Sequence, residues 1–299
     1  MLDCARVLEL DRPRNPADGD EPSSLTGRLH MDFRSLHALL PGNSIMNHRH
    51  FHRVVLLCIL PLTISAARAN EVVAAVAANF AAAMARIEPA FEQASGHQLT
   101  VVLGSSGKLV TQIQQGAPFD VLLSADVERP DVLAKSGLGV PASRFTYAIG
   151  RLALWSPDPQ AVGADGVAYL RAGSFRHLAI ANPAVAPYGA AARQVFEKLG
   201  LWAGMQDKVV RGEDIGQVYS MVASGAAEAG FVALSAVIAG PKPGSHWKVP
   251  QEMYPPLKQD AILITRARTN PAAQAFLDYL KTPASRDVIQ SLGYDLPTP

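Results

Sequence analysis

From residue 70 onward, a short apolar run is repeatedly followed by a polar turn and then by an amphipathic stretch. Residues 72–76 predict a buried strand, and residues 80–91 place apolar side chains at spacings of four, three and four, as on one face of a helix. The same succession returns in residues 98–115 and 119–137. Strands that alternate with helices across short loops predict an α/β fold with a parallel sheet covered by helices.

A second strand–helix series begins near residue 178, and two apolar, extended stretches separate it from the rest of the chain. We interpret these stretches, residues 145–155 and 260–265, as segments that cross between two lobes. Lobe 1 then comprises residues 70–148 and 262–299, and lobe 2 comprises residues 149–261. Ligands of parallel sheets bind at the carboxyl ends of the strands, so the pattern predicts a cleft between two such ends.

The segment that precedes this pattern, residues 46–69, predicts a secretory signal peptide. Arg49 and Arg53 precede an apolar run of about eleven residues, which ends at the small-x-small sequence of residues 67–69. A transmembrane helix is the alternative, but the run is too short for about 30 Å of hydrocarbon. We therefore expect export to a periplasm and cleavage before Asn70. Residues 1–45 are interpreted as a mis-assigned N-terminal extension.

Composition and charge narrow the function further. The net charge of +1 gives no reason to expect nucleic acid or an anionic membrane as a partner. Both cysteines, Cys4 and Cys58, precede residue 70, so the exported chain would have no disulfide and no thiolate metal site. His97, His177 and His246 are scattered without a partner at metal or triad spacing. Since no nucleophile and base stand out either, we do not expect an enzyme.

Candidate chemistry lies at the turns between strands and helices. In residues 104–107, an apolar strand passes through Gly-Ser-Ser-Gly into a helical pattern. The first N–H groups of a helix have no partner within it and, together with the helix dipole, form an anion site. Ser105 and Ser106 add hydroxyl donors. The alternative is that these serines only cap the helix.

Three further turns have the same character, at Asn79, Tyr188 and Ile215. Asn79 could serve only as a helix cap, Tyr188 as an ordinary loop aromatic, and Ile215 as a core side chain whose backbone alone faces a ligand. Asp214, which precedes Ile215, is expected to cap its helix with the carboxylate turned away from the cleft. Lys108 is expected to be a solvated surface lysine.

Four sequence motifs, in this order, resemble one known family. They are Ala-Ala-Asn-Phe at 77–80, Gly-Ser-Ser-Gly-Lys-Leu at 104–109, Asn-Pro-Ala-Val-Ala-Pro-Tyr-Gly at 182–189, and Glu-Asp-Ile at 213–215. Over roughly residues 71–295 the chain resembles the periplasmic molybdate-binding proteins, the solute receptors of molybdate ABC transporters. The resemblance implies a bilobed periplasmic-binding-protein clamshell of type II.

The resemblance also implies a ligand, molybdate or tungstate, held by neutral donors, with no cofactor. The metal atom is then approached only through its oxygens. The implied partner is a membrane permease, and the chain is expected to be a monomer. Receptors for sulfate, thiosulfate or phosphonate, and an exported enzyme or sensor domain on the same fold, are the alternatives. The implied contacts are Ala78, Asn79, Ser106, Tyr188 and Ile215.

Overall fold

The computed structural model describes residues 70–297, whose strands form two five-stranded sheets. The spatial order of the first sheet is β2 (Gln98–Gly104), β1 (Glu71–Ala77), β3 (Val121–Leu123), β10 (Leu257–Leu263) and β4 (Phe145–Gly150). The order of the second is β7 (Val209–Gly212), β6 (Leu178–Ala181), β8 (Ala229–Ala233), β5 (Leu152–Ser156) and β9 (Ser245–Lys248). We call the part built on the first sheet lobe 1 and the part built on the second lobe 2.

Helices cover both sheets. In chain order they are α1 (Ala81–Ser95), α2 (Ser106–Gln114), α3 (Glu128–Lys135), α4 (Gly166–Ala172), α5 (Pro187–Lys198), α6 (Trp202–Met205), α7 (Ile215–Ala223), α8 (Leu234–Ala239), α9 (Pro271–Tyr279) and α10 (Pro283–Ser291). Single 3-10 turns occupy Ala78–Phe80, Pro141–Ser143, Gln251–Met253 and Thr265–Ala267. Helix α1 continues through Pro89 and ends at Gly96, whose φ of 70° is in the left-handed region that closes helices.

Each sheet combines parallel and antiparallel neighbours. Strands β1, β2 and β3 are parallel, as the alternation of strands and helices predicts, whereas β10 runs antiparallel to both β3 and β4. In lobe 2, β6 is parallel to β7 and β8, while β5 is antiparallel to β8 and β9. In each sheet one strand, β10 or β5, thus runs opposite to the other four, and it is the strand by which the chain enters that lobe from the other.

The chain passes from one sheet to the other at Arg151, between β4 and β5, and returns between β9 and β10. Strand β10 belongs wholly to the first sheet, so the boundary expected after residue 261 falls inside a strand. The return crossing comes earlier, in residues 249–256. An apolar extended run has the same sequence pattern whether it is a central strand or a link, because both are buried.

Each lobe has its own apolar core. In lobe 2, Phe196 of α5 packs edge-on against Phe231 of β8, with ring centroids 5.4 Å apart, beside the buried Trp155. The two faces of the lobe 1 sheet are covered separately. Phe91 of α1 packs against Phe276 of α9 on one face, and a smaller cluster under α2 covers the other. These cores hold the strand ends that carry the loops described next.

Candidate functional site

A small cavity lies where the loops that follow β1, β2 and β3 of lobe 1 meet the first residues of α5 and α7 of lobe 2. All five contacts implied by the sequence line it, so the structure brings them together from both lobes. The lining residues are Ala77, Ala78, Asn79, Gly104, Ser105, Ser106, Ala125, Ala186, Pro187, Tyr188, Asp214 and Ile215.

The turn between β2 and α2 supplies two buried hydroxyl groups. Ser106 is completely buried, and its Oγ accepts the Ala125 N–H at 2.9 Å, which leaves the hydroxyl proton free to be donated. Ser105 is 4% exposed, and its Oγ has no hydrogen-bond partner among the residues that the structure describes. Neither side chain caps helix α2. The capping alternative is therefore wrong for both serines.

At Asn79 the groups that can face a ligand in the cavity belong to the backbone and not to the side chain. The side-chain Nδ2 of Asn79 donates to Gln259 Oε1 at 2.9 Å and to the Tyr294 hydroxyl at 3.3 Å, so its donors are engaged within the protein. Asn79 caps no helix with its side chain. Ala78 and Asn79 begin a 3-10 turn, and the first N–H groups of such a turn have no partner within it. These two N–H groups are the donors that the loop offers.

Tyr188 lies in the first turn of α5, directly after Pro187, and is 1% exposed. Its hydroxyl accepts a hydrogen bond from Gln259 Nε2 at 3.1 Å. Burial, with a smaller contribution from neighbouring Tyr294, raises the pKa of the Tyr188 phenol well above its usual value. The hydroxyl therefore keeps its proton at neutral pH and can donate it.

Ile215 is the first residue of α7, and its side chain is buried in the core of lobe 2. Asp214 Oδ1 accepts the Gln217 N–H at 2.9 Å, which confirms the predicted cap. At this turn the N–H of Ile215 is the group that the helix start offers to the cavity. Glu213, the residue before Asp214, forms an ion pair with Lys108 of lobe 1. Lys108 is about half exposed, but it is paired with Glu213 across the cleft and is not the solvated surface lysine that the sequence predicted.

The cavity walls are almost uncharged. Among the lining residues, all of which belong to the described part of the chain, none is Lys or Arg, and Asp214 is the one ionisable carboxylate. Within residues 70–297 no group of three or more His, Cys, Asp or Glu side chains is placed to hold a metal ion, and no helix could cross a membrane. Neutral donors that converge on one small space can hold a small anion through its oxygens.

Sequence reasoning missed two parts of this arrangement. For Ser105 the sequence left helix capping open as an alternative, and only the three-dimensional packing shows that its hydroxyl is buried without a partner among the described residues. Gln259 was not singled out, although it contacts both Asn79 and Tyr188. The sequence carries no signal for Gln259, because it stands between two charged residues, a lysine and an aspartate, ahead of the apolar run of β10.

Comparison with known proteins adds independent information. Residues 72–295 match the family of bacterial extracellular solute-binding proteins. The chain is 50% identical over 233 residues to the molybdate-binding protein ModA of Azotobacter vinelandii, and the match covers 77% of this chain and 92% of that protein. It is 49% identical over 228 residues to ModA of Rhodobacter capsulatus, and that match covers 76% of this chain and 89% of the relative.

A solved structure agrees with these matches. The periplasmic molybdate-binding protein of Azotobacter vinelandii aligns with a TM-score of 0.73 and 39% identity, covering 76% of this chain and 100% of that one. The alignment confirms the predicted two-lobed solute-binding fold. Solute-binding proteins of this kind are transport components rather than enzymes. On the strength of this identity and coverage, the chain belongs to the family of bacterial molybdate-binding proteins.

Proposed function

We propose that this protein captures molybdate, and also tungstate, outside the cytoplasm and delivers it to the membrane permease of an ABC transporter. The observation that carries the proposal is the small cavity between the lobes, whose polar groups, apart from the capping carboxylate of Asp214, are neutral hydrogen-bond donors. Relatives at about 50% identity are named molybdate-binding proteins, which supports the choice of ligand.

The donors proposed to hold the oxyanion come from both lobes. They are the N–H groups of Ala78 and Asn79, the hydroxyls of Ser105, Ser106 and Tyr188, and the N–H of Ile215. Molybdate and tungstate are fully deprotonated near neutral pH, so every oxygen can accept a hydrogen bond. Hydrogen phosphate carries a proton that needs an acceptor, and a buried group without its partner costs about 1–3 kcal/mol. A site made of donors therefore discriminates against hydrogen phosphate.

Three contacts across the cleft support hinge closure as the mechanism. The Gly107 N–H donates to Val185 O at 2.9 Å, Lys108 pairs with Glu213, and Arg129 Nη2 donates to Ala184 O at 3.4 Å. Each contact joins lobe 1 to lobe 2. We propose that the lobes rotate about Arg151 and residues 249–256, and that a bound oxyanion bridges them.

Export belongs to the same proposal. The predicted signal peptide, residues 46–69, and the extension before it lie outside the described residues. Relatives of the chain are extracellular or periplasmic by name. We therefore propose a periplasmic, monomeric receptor, processed before Asn70.

Thermal unfolding with a series of oxyanions tests the function. A ligand at a hundred times its Kd adds about 2.7 kcal/mol to the free energy of unfolding. We expect micromolar molybdate and tungstate to raise the melting temperature, with sulfate and hydrogen phosphate at the same concentration as controls that do not. An equal response to sulfate would favour the alternative receptor for sulfate, thiosulfate or phosphonate, and no response to molybdate would reject the proposal.

A further inference from the structure

Gln259 is a completely buried amide that connects the two lobes. It lies on β10, where the pairing with β4 shifts register between Gln259 and Asp260. Its Oε1 lies 2.9 Å from Asn79 Nδ2 and 3.1 Å from the Tyr147 hydroxyl, both in lobe 1. Its Nε2 lies 3.1 Å from the hydroxyl of Tyr188 in lobe 2. A single side chain thus contacts two of the proposed ligand loops.

The surroundings fix which end of this amide faces Tyr188. Asn79 Nδ2 can only donate, whereas the Tyr147 hydroxyl has a single proton that lies between Ser124 O and Gln259 Oε1, each at 3.1 Å. The end of the Gln259 amide that faces Asn79 Nδ2 must therefore be the oxygen. The NH₂ end is left for Tyr188, whose oxygen must accept.

This orientation determines what Tyr188 can offer a ligand. Its oxygen is occupied by the Gln259 N–H, and within the described residues no hydrogen bond uses its own proton. Gly150 lies against this pair, since a Cβ at that position would approach the Tyr188 hydroxyl to 2.1 Å. Tyr188 itself lines the cavity. The free proton is the group left for an oxygen bound there.

We propose that Gln259 is a positioning residue for selectivity, which keeps the Tyr188 hydroxyl a hydrogen-bond donor and so favours fully deprotonated oxyanions. The inference rests on the proposed function and names a residue that acts through Tyr188 rather than by touching the ligand. It predicts that reversing the polarity at position 259 damages binding more than the small change of shape would suggest.

Gln259→Glu is the informative variant, because it keeps the shape and removes the donor. An ionised carboxylate only accepts, so the Tyr188 proton would turn toward it and the phenol oxygen would face the ligand. We expect molybdate affinity to fall about ten- to a hundredfold at neutral pH. Gln290→Glu, at an exposed position of α10, introduces the same charge in the same lobe and is the matched control.

The pH dependence separates polarity from packing. Burial raises the pKa of a carboxyl group, and the nearby acidic groups act in the same direction. These groups are Asp260, which is paired with Arg144, and Asp126, which is paired with Arg129. Asp214, which caps α7, lines the same cavity. The remaining titratable groups are phenols, and burial raises the pKa of each of them; they are Tyr147, Tyr188, Tyr254 and Tyr294. Once protonated, the carboxyl group introduced by Gln259→Glu again donates to Tyr188, so binding by this variant should recover as the pH falls.

The experiment measures molybdate Kd by calorimetry from about pH 5 to about pH 9, the range over which a buried carboxyl group can titrate, for the wild type, Gln259→Glu and Gln290→Glu. The proposal expects the ratio of the Gln259→Glu Kd to the wild-type Kd to rise with pH, while the ratio for Gln290→Glu stays near one. A ratio near one throughout, or a large ratio that does not change with pH, overturns it. Failure of the wild type to bind molybdate would instead reject the proposed function.

A second variant keeps the test valid if Gln259→Glu folds poorly. Tyr188→Phe removes the hydroxyl on which Gln259 is proposed to act. In that background, the additional loss caused by Gln259→Leu should be smaller than in the wild type, because the two residues act through one contact. Fully additive losses would contradict the assignment.

Discussion

Two turns that face each other across the cavity have the same backbone design and use their side chains differently. In lobe 1, β2 turns into α2 at Ser105 and Ser106, and in lobe 2, β7 turns into α7 at Asp214 and Ile215. Asp214 accepts a hydrogen bond from the third residue of its helix, whereas Ser105, in the same position, caps nothing. The side chain at the N-cap position of the lobe 2 turn is thus hydrogen-bonded to its own helix, and the one at the same position of the lobe 1 turn is not.

The difference explains what each turn can give a ligand. Where the cap is satisfied, as in lobe 2, the helix start still offers backbone N–H groups, but the polar side chain is occupied. Where the cap is not made, as in lobe 1, the side chains remain available and two hydroxyls lie at the cavity. We infer that the lobe 1 turn binds through side chains and the lobe 2 turn through backbone, so mutation should affect them unequally.

The largest effect is expected for Ser106→Ala. The substitution removes a hydroxyl donor from the cavity and leaves the buried N–H of Ala125 without its acceptor. An unpaired buried group costs about 1–3 kcal/mol, and we expect molybdate affinity to fall about ten- to a hundredfold. Calorimetry measures the loss, with Ser291→Ala at an exposed position of lobe 1 as the control. Wild-type affinity in Ser106→Ala would show that the site lies elsewhere.

A smaller and more selective effect is expected for Ser105→Ala. Because the Ser105 hydroxyl has no partner among the described residues, its removal should not lower the stability of the ligand-free protein. We expect molybdate affinity to fall about tenfold, since a donor to the oxyanion is lost. Melting temperatures with and without molybdate separate the two effects. A lower melting temperature without ligand, combined with normal binding, would mean that Ser105 is a structural residue.

The smallest effect on binding is expected for Asp214→Ala, which tests the comparison at the lobe 2 turn. Loss of a helix cap costs about 1 kcal/mol of stability. The Ile215 N–H remains, so molybdate affinity should change by less than in either serine variant. Urea unfolding without ligand measures the stability, and Asp214→Asn, which retains a good capping residue, is the control. A loss of affinity as large as that of Ser106→Ala would show that the Asp214 side chain contributes directly to binding.

Much of the fold could be predicted from the sequence, because it depends on local patterns. Alternation of apolar runs and helical periodicity defines the parallel strands and their helices, and the Asp214 cap follows from one residue type at a helix start. The positions of Asn79, Ser106, Tyr188 and Ile215 at strand ends indicated one cleft, and the structure places all of them on one cavity.

What could not be predicted depends on contacts between distant residues. The Asn79 side chain looked free in the sequence, yet it is engaged by Gln259 and Tyr294, which lie 180 and 215 residues away. Strand β10 looked like a crossing segment because its pairing with β3 and β4 leaves no mark in a short apolar run. The unpartnered state of Ser105 within the described residues is a property of its surroundings and not of the residue.

The contact between Gly107 and Val185 restricts which residues evolution can place at position 107. The hydrogen bond between them joins two main chains, and a Cβ on Gly107 would lie 3.0 Å from both Cα and O of Val185. At this point the two main chains touch directly, with no side chain between them, and this contact determines how far apart the lobes lie. Surface side chains on both rims can diverge freely without altering the span between the lobes, whereas a single methyl group at residue 107 would widen it.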